Sequence, residues 1–410
     1  MKYAILLADG MSDRPLADLN ERTPLEVART KYMDLLAKNG MIGMAETIPR
    51  GMSPGSDVAN LSILGYDPKR YYTGRGPLEA ANIGVKLGEL DVAFRCNLVS
   101  VDEDILADYS SGHIIEKEAK IIMGSISDSL GSESVRFYFG KSYRNLMVIT
   151  AKDKGRMNEL ATLVCTPPHD IMGKNISGHL PQGKAAAQIV DLMNESRRIL
   201  EEHEINKVRL DLKENPANMI WLWGQGVNPN LPTYKKMFGL HGAVISAVDL
   251  INGIGRLIGL EVVSVPGATG YYDTNYKGKG EYALRCLEKS DFVFVHVEAP
   301  DEAGHNGDVR AKIEAIENFD KFIVGPLWRR LKGRDDIRIM ALSDHATPIS
   351  IRTHSDDPVP FVMYGAGIKR AGAAGFNEKN AKASKCSFKS GADLTNYFIH
   401  GKHKEKVKTG

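Results

Sequence analysis

The sequence predicts an α/β protein: a mostly parallel sheet flanked by helices, with an α+β domain inserted into that core. Three observations carry this expectation. Short apolar runs such as "KYAILLADG", "DFVFVHVE" and "IRIMALSDH" read as strands buried on both faces. Segments of helical period alternate with them, as parallel βαβ units require. Between about residues 85 and 245 the pattern gives way to shorter, alternating strands.

Taken in order, "KYAILLADG" is the first strand and runs into a glycine turn. "TPLEVARTKYMDLLAKNG" predicts a helix, with Thr23 to cap it, Pro24 in its first turn and Gly40 to end it. In the C-terminal half, "AVISAVDLINGIGRLIG" predicts a helix, "LEVVSVPG" a strand, and "GEYALRCLEKS" a helix leading into "DFVFVHVE". "AKIEAIENFDKFIVGPLWRRL" predicts one long amphipathic helix, and "PFVMYG" a further strand. In the middle, "VRFYFGKSYRNLMVIT" has the alternation of an antiparallel pair, and "CTPPHDIMGKNISGHLPQGK" is loop-rich. The expected division is a discontinuous core at 1–80 and 250–400, an insertion at 85–245, and a flexible basic tail at 401–410. Residues 369–392, rich in Ala, Lys, Gly and Ser, read as a surface loop.

Composition narrows the function. The chain has 53 basic and 51 acidic residues, too balanced to favour a nucleic-acid partner or an anionic membrane surface. Its four cysteines form no CxxC pair, which argues against a disulfide framework or a thiolate zinc site and fits a reducing cytoplasm. No apolar run reaches the length of a membrane span, and the first apolar run, broken at Asp9, is too short for a signal peptide. A soluble cytoplasmic protein is expected.

Four segments place hard or borderline metal ligands at predicted strand ends. They are "LLADG" with Asp9, "APDEAGHNGD" with Asp301 and His305, "ALSDHATP" with Asp344 and His345, and "IRTHSDDPVPF" with His354. A single aspartate after a strand is ordinarily a cap, and a single histidine ordinarily a structural residue. Four such segments together are different, because each unpaired buried charge costs several kcal/mol and a cation between them removes that cost. Asp301 and His305 stand four apart, which one helical turn brings to one side. Mixed imidazole and carboxylate donors suit Zn²⁺ or Mn²⁺. In "RGMSPGSDVANLSILGYDP" the Pro54-Gly55 turn precedes a helix with Ser56 at or near its N-cap. Ser56 there could simply cap the helix. Alternatively, its hydroxyl could meet a metal and become a nucleophile, with the helix N-terminus favouring a phosphate.

The order of Asp9, "PGSDVAN", "DEAGH", "SDH" and "RTHSDDPVP" resembles the cofactor-independent phosphoglycerate mutases of the alkaline phosphatase superfamily, in their shorter archaeal-type branch. "YYTGRGPLEAANIGV", "DVAFRCNLV" and "VEAPDEAGHNGD" extend the likeness over most of the chain. The resemblance implies an alkaline-phosphatase-like core with residues 85–245 as a substrate-binding domain that closes to exclude water. It implies one divalent metal held by Asp301, His305 and His354, and a second by Asp9, Asp344, His345 and Ser56. The metal would be Mn²⁺, with Zn²⁺, Co²⁺ or Mg²⁺ as substitutes. Ser56 would take the phosphoryl group from 3-phosphoglycerate and return it to the other hydroxyl, giving 2-phosphoglycerate without bisphosphoglycerate. Arg75, Arg95, Asn97 and Arg144 are candidates for binding this small phosphorylated carboxylic acid, since a guanidinium grips either anion in a bidentate fashion. Asp108 and His113 in "ADYSSGHI" are candidates for the acid/base work, and Tyr271, Asn275 and Lys277 for a phosphate contact from the core. "DYSSGHI" also resembles a related branch of homoserine-kinase-like phosphotransferases, which is the alternative reading.

Overall fold

The computed structural model describes residues 1–401; the basic tail expected from 401 lies, past Gly401, outside the described residues. The chain divides into two compact units. One joins Met1–Tyr72 to the chain from Leu231 onward, and the other is Thr73–Asn230. The second unit thus begins and ends earlier than the predicted 85–245. The helix Arg75–Asn82 packs within it, while residues 242–245 form a strand of the first unit's sheet. The strands in chain order are β1 (Lys2–Ala8), β2 (Met41–Ala45), β3 (Asp91–Asp102), β4 (Ile105–Asp108), β5 (Val135–Lys141), β6 (Arg144–Thr150), β7 (Met219–Val227), β8 (Gly242–Ile245), β9 (Glu261–Val262), β10 (Phe292–Val297), β11 (Ile337–Leu342), β12 (Val359–Gly365) and β13 (Ser387–Phe388).

The first unit holds an eight-stranded sheet in the order β13-β2-β12-β11-β1-β10-β8-β9. Only β12 runs antiparallel to its neighbours; the other pairings are parallel. The central strands are continuous apolar runs, buried along almost their whole length because helices cover both faces. In register, Ala8 faces Val297 and Leu7 faces Leu342, so β1, β10 and β11 end together at one edge. β12 begins at that same edge, since Phe361 pairs with Leu342. The edge therefore collects the residues that follow β1, β10 and β11 and those that precede β12, the four predicted ligand segments.

Several elements differ from the sequence expectation. "AVIS" belongs to β8, and its helix starts only at Asp249. The helix expected across residues 23–40 is two. Thr23 and Glu26 form a capping box for Pro24–Val27, and Lys31–Asn39 begins where the Asp320 carboxylate accepts the N–H groups of Tyr32 and Met33. The long helix is continuous, but a wide π turn at Asp320–Val324 joins Val309–Phe319 to Gly325–Leu331. Pro326, after Gly325, has no backbone N–H to donate, and just ahead of it Gly325 N reaches five residues back to Asp320 O, which widens the helix there. Residues 369–392 are more than a surface loop. Phe376 and Phe388 are buried, and the segment contains the helix Glu378–Ala383 and the strand β13.

The second unit is an antiparallel sheet in which β3 pairs with β4, β6 and β7, and β5 pairs with β6 as a hairpin. Helices Glu116–Leu130 and Ala186–Glu201 pack against it over a core that includes Phe94, Ile122, Met193 and Trp221. Among the described residues no helix is long and apolar enough to cross a membrane, and all four cysteines are free.

Beneath the sheet edge lies a buried ion pair. Lys312 is fully enclosed, donates to Asp13 Oδ2 at 2.6 Å and to Thr347 O at 2.8 Å, and so fastens two loops to the helix below them. Lys312→Met would leave Asp13 charged and buried without its cation. It is expected to destabilise the chain by about 3–5 kcal/mol, read as a lowered urea midpoint at unchanged slope. An unaltered midpoint would show that the pair holds nothing.

Candidate metal centre

The edge of the parallel sheet gathers all seven predicted ligands into two clusters. In the first, His305 Nε2 lies 3.2 Å from Asp301 Oδ2, His354 Nε2 lies 3.4 Å from Asp301 Oδ1, and the two imidazole nitrogens face each other at 3.0 Å. The helix Ala299–Asn306 makes this possible, since it places Asp301 one turn before His305. In the second, three oxygens converge on His345 Nε2: Ser56 Oγ at 3.1 Å, Asp344 Oδ2 at 3.2 Å and Asp9 Oδ1 at 3.5 Å. Thr347 joins the clusters, because its hydroxyl hydrogen-bonds both Asp301 Oδ1 and His345 Nδ1. Gly10 is required beside it: at φ +60 a Cβ would stand 2.6 Å from both Asp301 Cα and Thr347 Oγ1.

The helix Ser56–Ile63 takes Gly55, not Ser56, as its N-cap, and Gly55 offers no side chain. Ser56 is therefore the first helical residue, with its hydroxyl spared from capping and turned toward His345. Asn60, one turn on, donates to Asp344 Oδ2 at 3.0 Å and to Ser56 O at 2.9 Å, which ties the serine's turn to the ligand segment.

These donors fit divalent cations. Asp9 Oδ1 is buried and has no hydrogen-bond partner, and each of the groups Asp301/His305/His354 and Asp9/Asp301/His345 has its ligand atoms within 4.8 Å of one another. Burial, followed by the charges of Asp344, Glu298 and Asp301, drives the Asp9 carboxyl well above the ordinary range. So many enclosed carboxylates repel one another, and a cation relieves that repulsion. Burial also works against ionised Asp301, but the hydrogen bonds of His305 and His354 prevail and hold it well below the usual value. Burial lowers the His345 imidazole, which keeps it neutral and able to ligate.

The candidates in the second unit have varied settings. Arg95 is buried, pairs with Glu79 at 2.9 Å and lies over the Trp223 ring at 4.3 Å; Arg75 approaches the same ring at 6.0 Å. Asn97 accepts from Trp223 Nε1 at 3.2 Å. Arg144, half-buried, lies over the Tyr143 ring at 5.8 Å. Asp108 has a different duty from the acid/base role the sequence offers. Its two oxygens accept from Ser110 N and Oγ, Gly112 N and Asn215 Nδ2, and they hold the 108–112 turn. His113 is exposed, on left-handed backbone at φ 54. In the core, Asn275 caps the helix Tyr276–Lys289, Lys277 is exposed near Glu281, and Tyr271 stacks on Tyr272.

Three residues escaped the sequence reading. Thr347 is a short polar side chain with no local signal. His296 sits within the apolar run of β10, fully buried, with Nε2 2.9 Å from Asp9 Oδ2. His169, in the loop-rich "TPPHDIMGK", meets Trp223 edge-on at 5.5 Å, and burial with the nearby charges of Arg75 and Arg95 lowers its pKa. The doubled proline ahead of "HD" was the available hint that this loop is held in one conformation.

Strand ends that assemble two carboxylate–imidazole clusters beside a helix-borne serine define a metal-dependent α/β enzyme. A sequence profile of the family described as 2,3-bisphosphoglycerate-independent phosphoglycerate mutase matches residues 37–206. A protein of that name from Methanothrix thermoacetophila is 50% identical over 402 residues, covering 98% of this chain and 100% of its own. The one from Methanosarcina acetivorans is 47% identical over 401 residues, covering 97% and 100%. The chain belongs to the 2,3-bisphosphoglycerate-independent phosphoglycerate mutase family. Among solved structures, a protein of Pyrococcus horikoshii matches with TM-score 0.82 and 30% identity over 97% of this chain and 96% of its own. A cofactor-independent phosphoglycerate mutase from Thermoplasma acidophilum matches with TM-score 0.66 and 27% identity over 97% and 99%.

His305 makes the first cluster pH-sensitive. Its hydrogen bond with Asp301 outweighs burial and raises its pKa to about 9, so near neutrality the cation-free ring carries a proton that a metal must displace. Metal affinity at this cluster is expected to rise about tenfold per pH unit up to about pH 9 and to level off above it. Calorimetric titration of the metal-stripped protein across that range checks this, and a flat profile would refute it.

Proposed function

We propose that this chain interconverts 3-phosphoglycerate and 2-phosphoglycerate through a phosphoserine at Ser56. The observation that carries the reading is the convergence of Ser56, Asp9 and Asp344 on His345 at the head of a buried helix. We assign one cation to Asp301, His305 and His354, and a second to Asp9, Asp344, His345 and Ser56, with Mn²⁺ the expected ion. When bound, the pair would neutralise the charge on the phosphoryl oxygens and favour the ionised serine.

The remaining steps belong to the chain. Ser56 Oγ forms a bond to phosphorus as the bond from phosphorus to the C3 oxygen breaks, and the proton that Ser56 gives up ends on that oxygen. Glycerate then turns; its C2 hydroxyl loses a proton and attacks the phosphoserine, and Ser56 is regenerated. The backbone N–H groups at the start of Ser56–Ile63 favour the phosphate. Arg75, Arg95 and Arg144 supply bidentate donors for carboxylate or phosphate, and stacking on Trp223 fixes the plane of the Arg95 fork. For proton exchange we assign His169 rather than Asp108, whose oxygens are committed to the turn. Its ring is partly exposed and kept neutral chiefly by burial, so it can accept a proton and return it.

The test is direct. The Mn²⁺-loaded chain is given 3-phosphoglycerate without bisphosphoglycerate, and product is followed through enolase. Turnover is expected there and none with homoserine and ATP; the opposite result would replace the mutase with a kinase. Ser56→Ala is expected to lower kcat by about 10⁴-fold or more without altering the fold, because it removes the oxygen that would take the phosphoryl group. Arg95→Lys keeps the charge but loses the fork. It is expected to reduce kcat/KM by about 10–100-fold at normal metal content, and wild-type kinetics in that variant would remove Arg95 from the substrate site.

A further inference from the structure

We infer that His296 is a positioning residue for Asp9, fixing which oxygen of that carboxylate turns toward Ser56 and His345. The inference deepens the reading above and rests on it in taking Asp9 as a cation ligand. His296 is fully buried near the end of β10, beside β1, whose last residue precedes Asp9. Its two ring nitrogens have different partners. Ser246 Oγ lies 3.3 Å from Nδ1 and accepts from Val248 N at 3.0 Å, which leaves its proton and one lone pair to meet whichever form Nδ1 takes. A cation-ligating Asp9 carboxylate can only accept, so Nε2, 2.9 Å from Asp9 Oδ2, carries the ring proton, and Nδ1 accepts from the Ser246 hydroxyl.

One tautomer satisfies the whole chain of bonds from Ser246 to Asp9, and its consequence is asymmetry. Asp9 Oδ2 is occupied, while Oδ1, buried and without a hydrogen-bond partner, lies 3.5 Å from His345 Nε2. The backbone is pinned at the same place. Lys279 Nζ donates to His296 O at 2.8 Å, and Asp9 N donates to Val297 O at 2.9 Å. Donating the remaining imidazole N–H to a ligating carboxylate is how an outer group orients a ligand and raises its basicity. The competing arrangement is a third cation held by Asp9, His296 and Glu298, whose atoms also cluster within 4.8 Å. Two features count against it. Glu298 Oε2 stands farther from Nε2, at 3.7 Å, and Nε2 already faces Asp9 Oδ2 at 2.9 Å.

The experiment uses the full chain, stripped of metal and titrated calorimetrically with Mn²⁺, and needs no turnover. The wild type is expected to take two equivalents. His296→Leu is expected to weaken one of them by about 10–100-fold and to leave the other unchanged. His296→Gln, which keeps an N–H within reach of Asp9, restores most of the loss. Ser246→Ala releases the tautomer and gives a smaller loss at the same equivalent; it decides the matter if His296→Leu does not fold. Unchanged affinities in His296→Leu and Ser246→Ala overturn the positioning role alone. So does equal weakening of both equivalents without rescue by glutamine, or a third equivalent in the wild type that disappears with His296. A wild type that binds no Mn²⁺ overturns the metal-site reading itself, and the positioning role with it.

Discussion

Mutual repulsion among Asp9, Glu298, Asp301 and Asp344 is the constraint around which the core is arranged. These carboxylates follow three adjacent parallel strands whose side chains are almost all apolar, so water offers them little relief. Burial and the nearby charge of Asp301 push Glu298 up to about 8, and burial with its neighbours' charges pushes Asp9 well above its ordinary range. A fold gains nothing by enclosing so many acids unless positive charge meets them. Imidazoles answer part of the need at Asp301, the Lys279 ammonium part of it near Glu298, and the geometry around His345 leaves the remainder to a cation. A cation bound there would give back to the fold part of the stability that enclosing these acids costs it.

That constraint explains which parts could be read from the chain alone. β1, β10 and β11 were legible because their apolar runs end abruptly in acids, a pattern with few physical explanations. Their adjacency was not legible from local sequence, yet the parallel alternation put the carboxyl ends of these three strands on one edge, and this sufficed to predict convergence. His354 was reachable for a different reason: β12 runs the other way, so a residue ahead of it lands where residues behind the other strands land. Nothing in "PFVMYG" announces that direction.

The failures share a cause too. Most arose where a distant contact, rather than local propensity, decided the structure. The helix predicted from residue 23 to residue 40 breaks because Asp320, nearly three hundred residues away, caps a second start at Tyr32 and Met33. "AVIS" was absorbed into a helix because no turn residue separates it from the periodic stretch that follows, and only pairing with β10 makes it a strand. The insertion boundaries moved for the same reason, since a helix and a strand near the junctions are claimed by the sheets they pack on. Thr347 and His296 were invisible because Asp301 for the one, and Asp9 and Ser246 for the other, are brought to them only by the fold.

What separates the catalytic candidates from the rest is whether a polar side chain already has a structural task. Asp108 and Asn275 occupy positions where turns and helix starts require an acceptor, and the structure uses them so. Asp57 divides its oxygens between Val58 N and the Tyr72 hydroxyl. Ser56, which also follows a turn at a helix start, escapes capping because Gly55 occupies the cap and leaves the hydroxyl to His345. The local sequence around a serine cannot distinguish these outcomes, since both begin a helix and both follow a turn. The difference is a shift of one position in where the helix begins, and it decides whether the oxygen is spent on a backbone amide or turns toward His345.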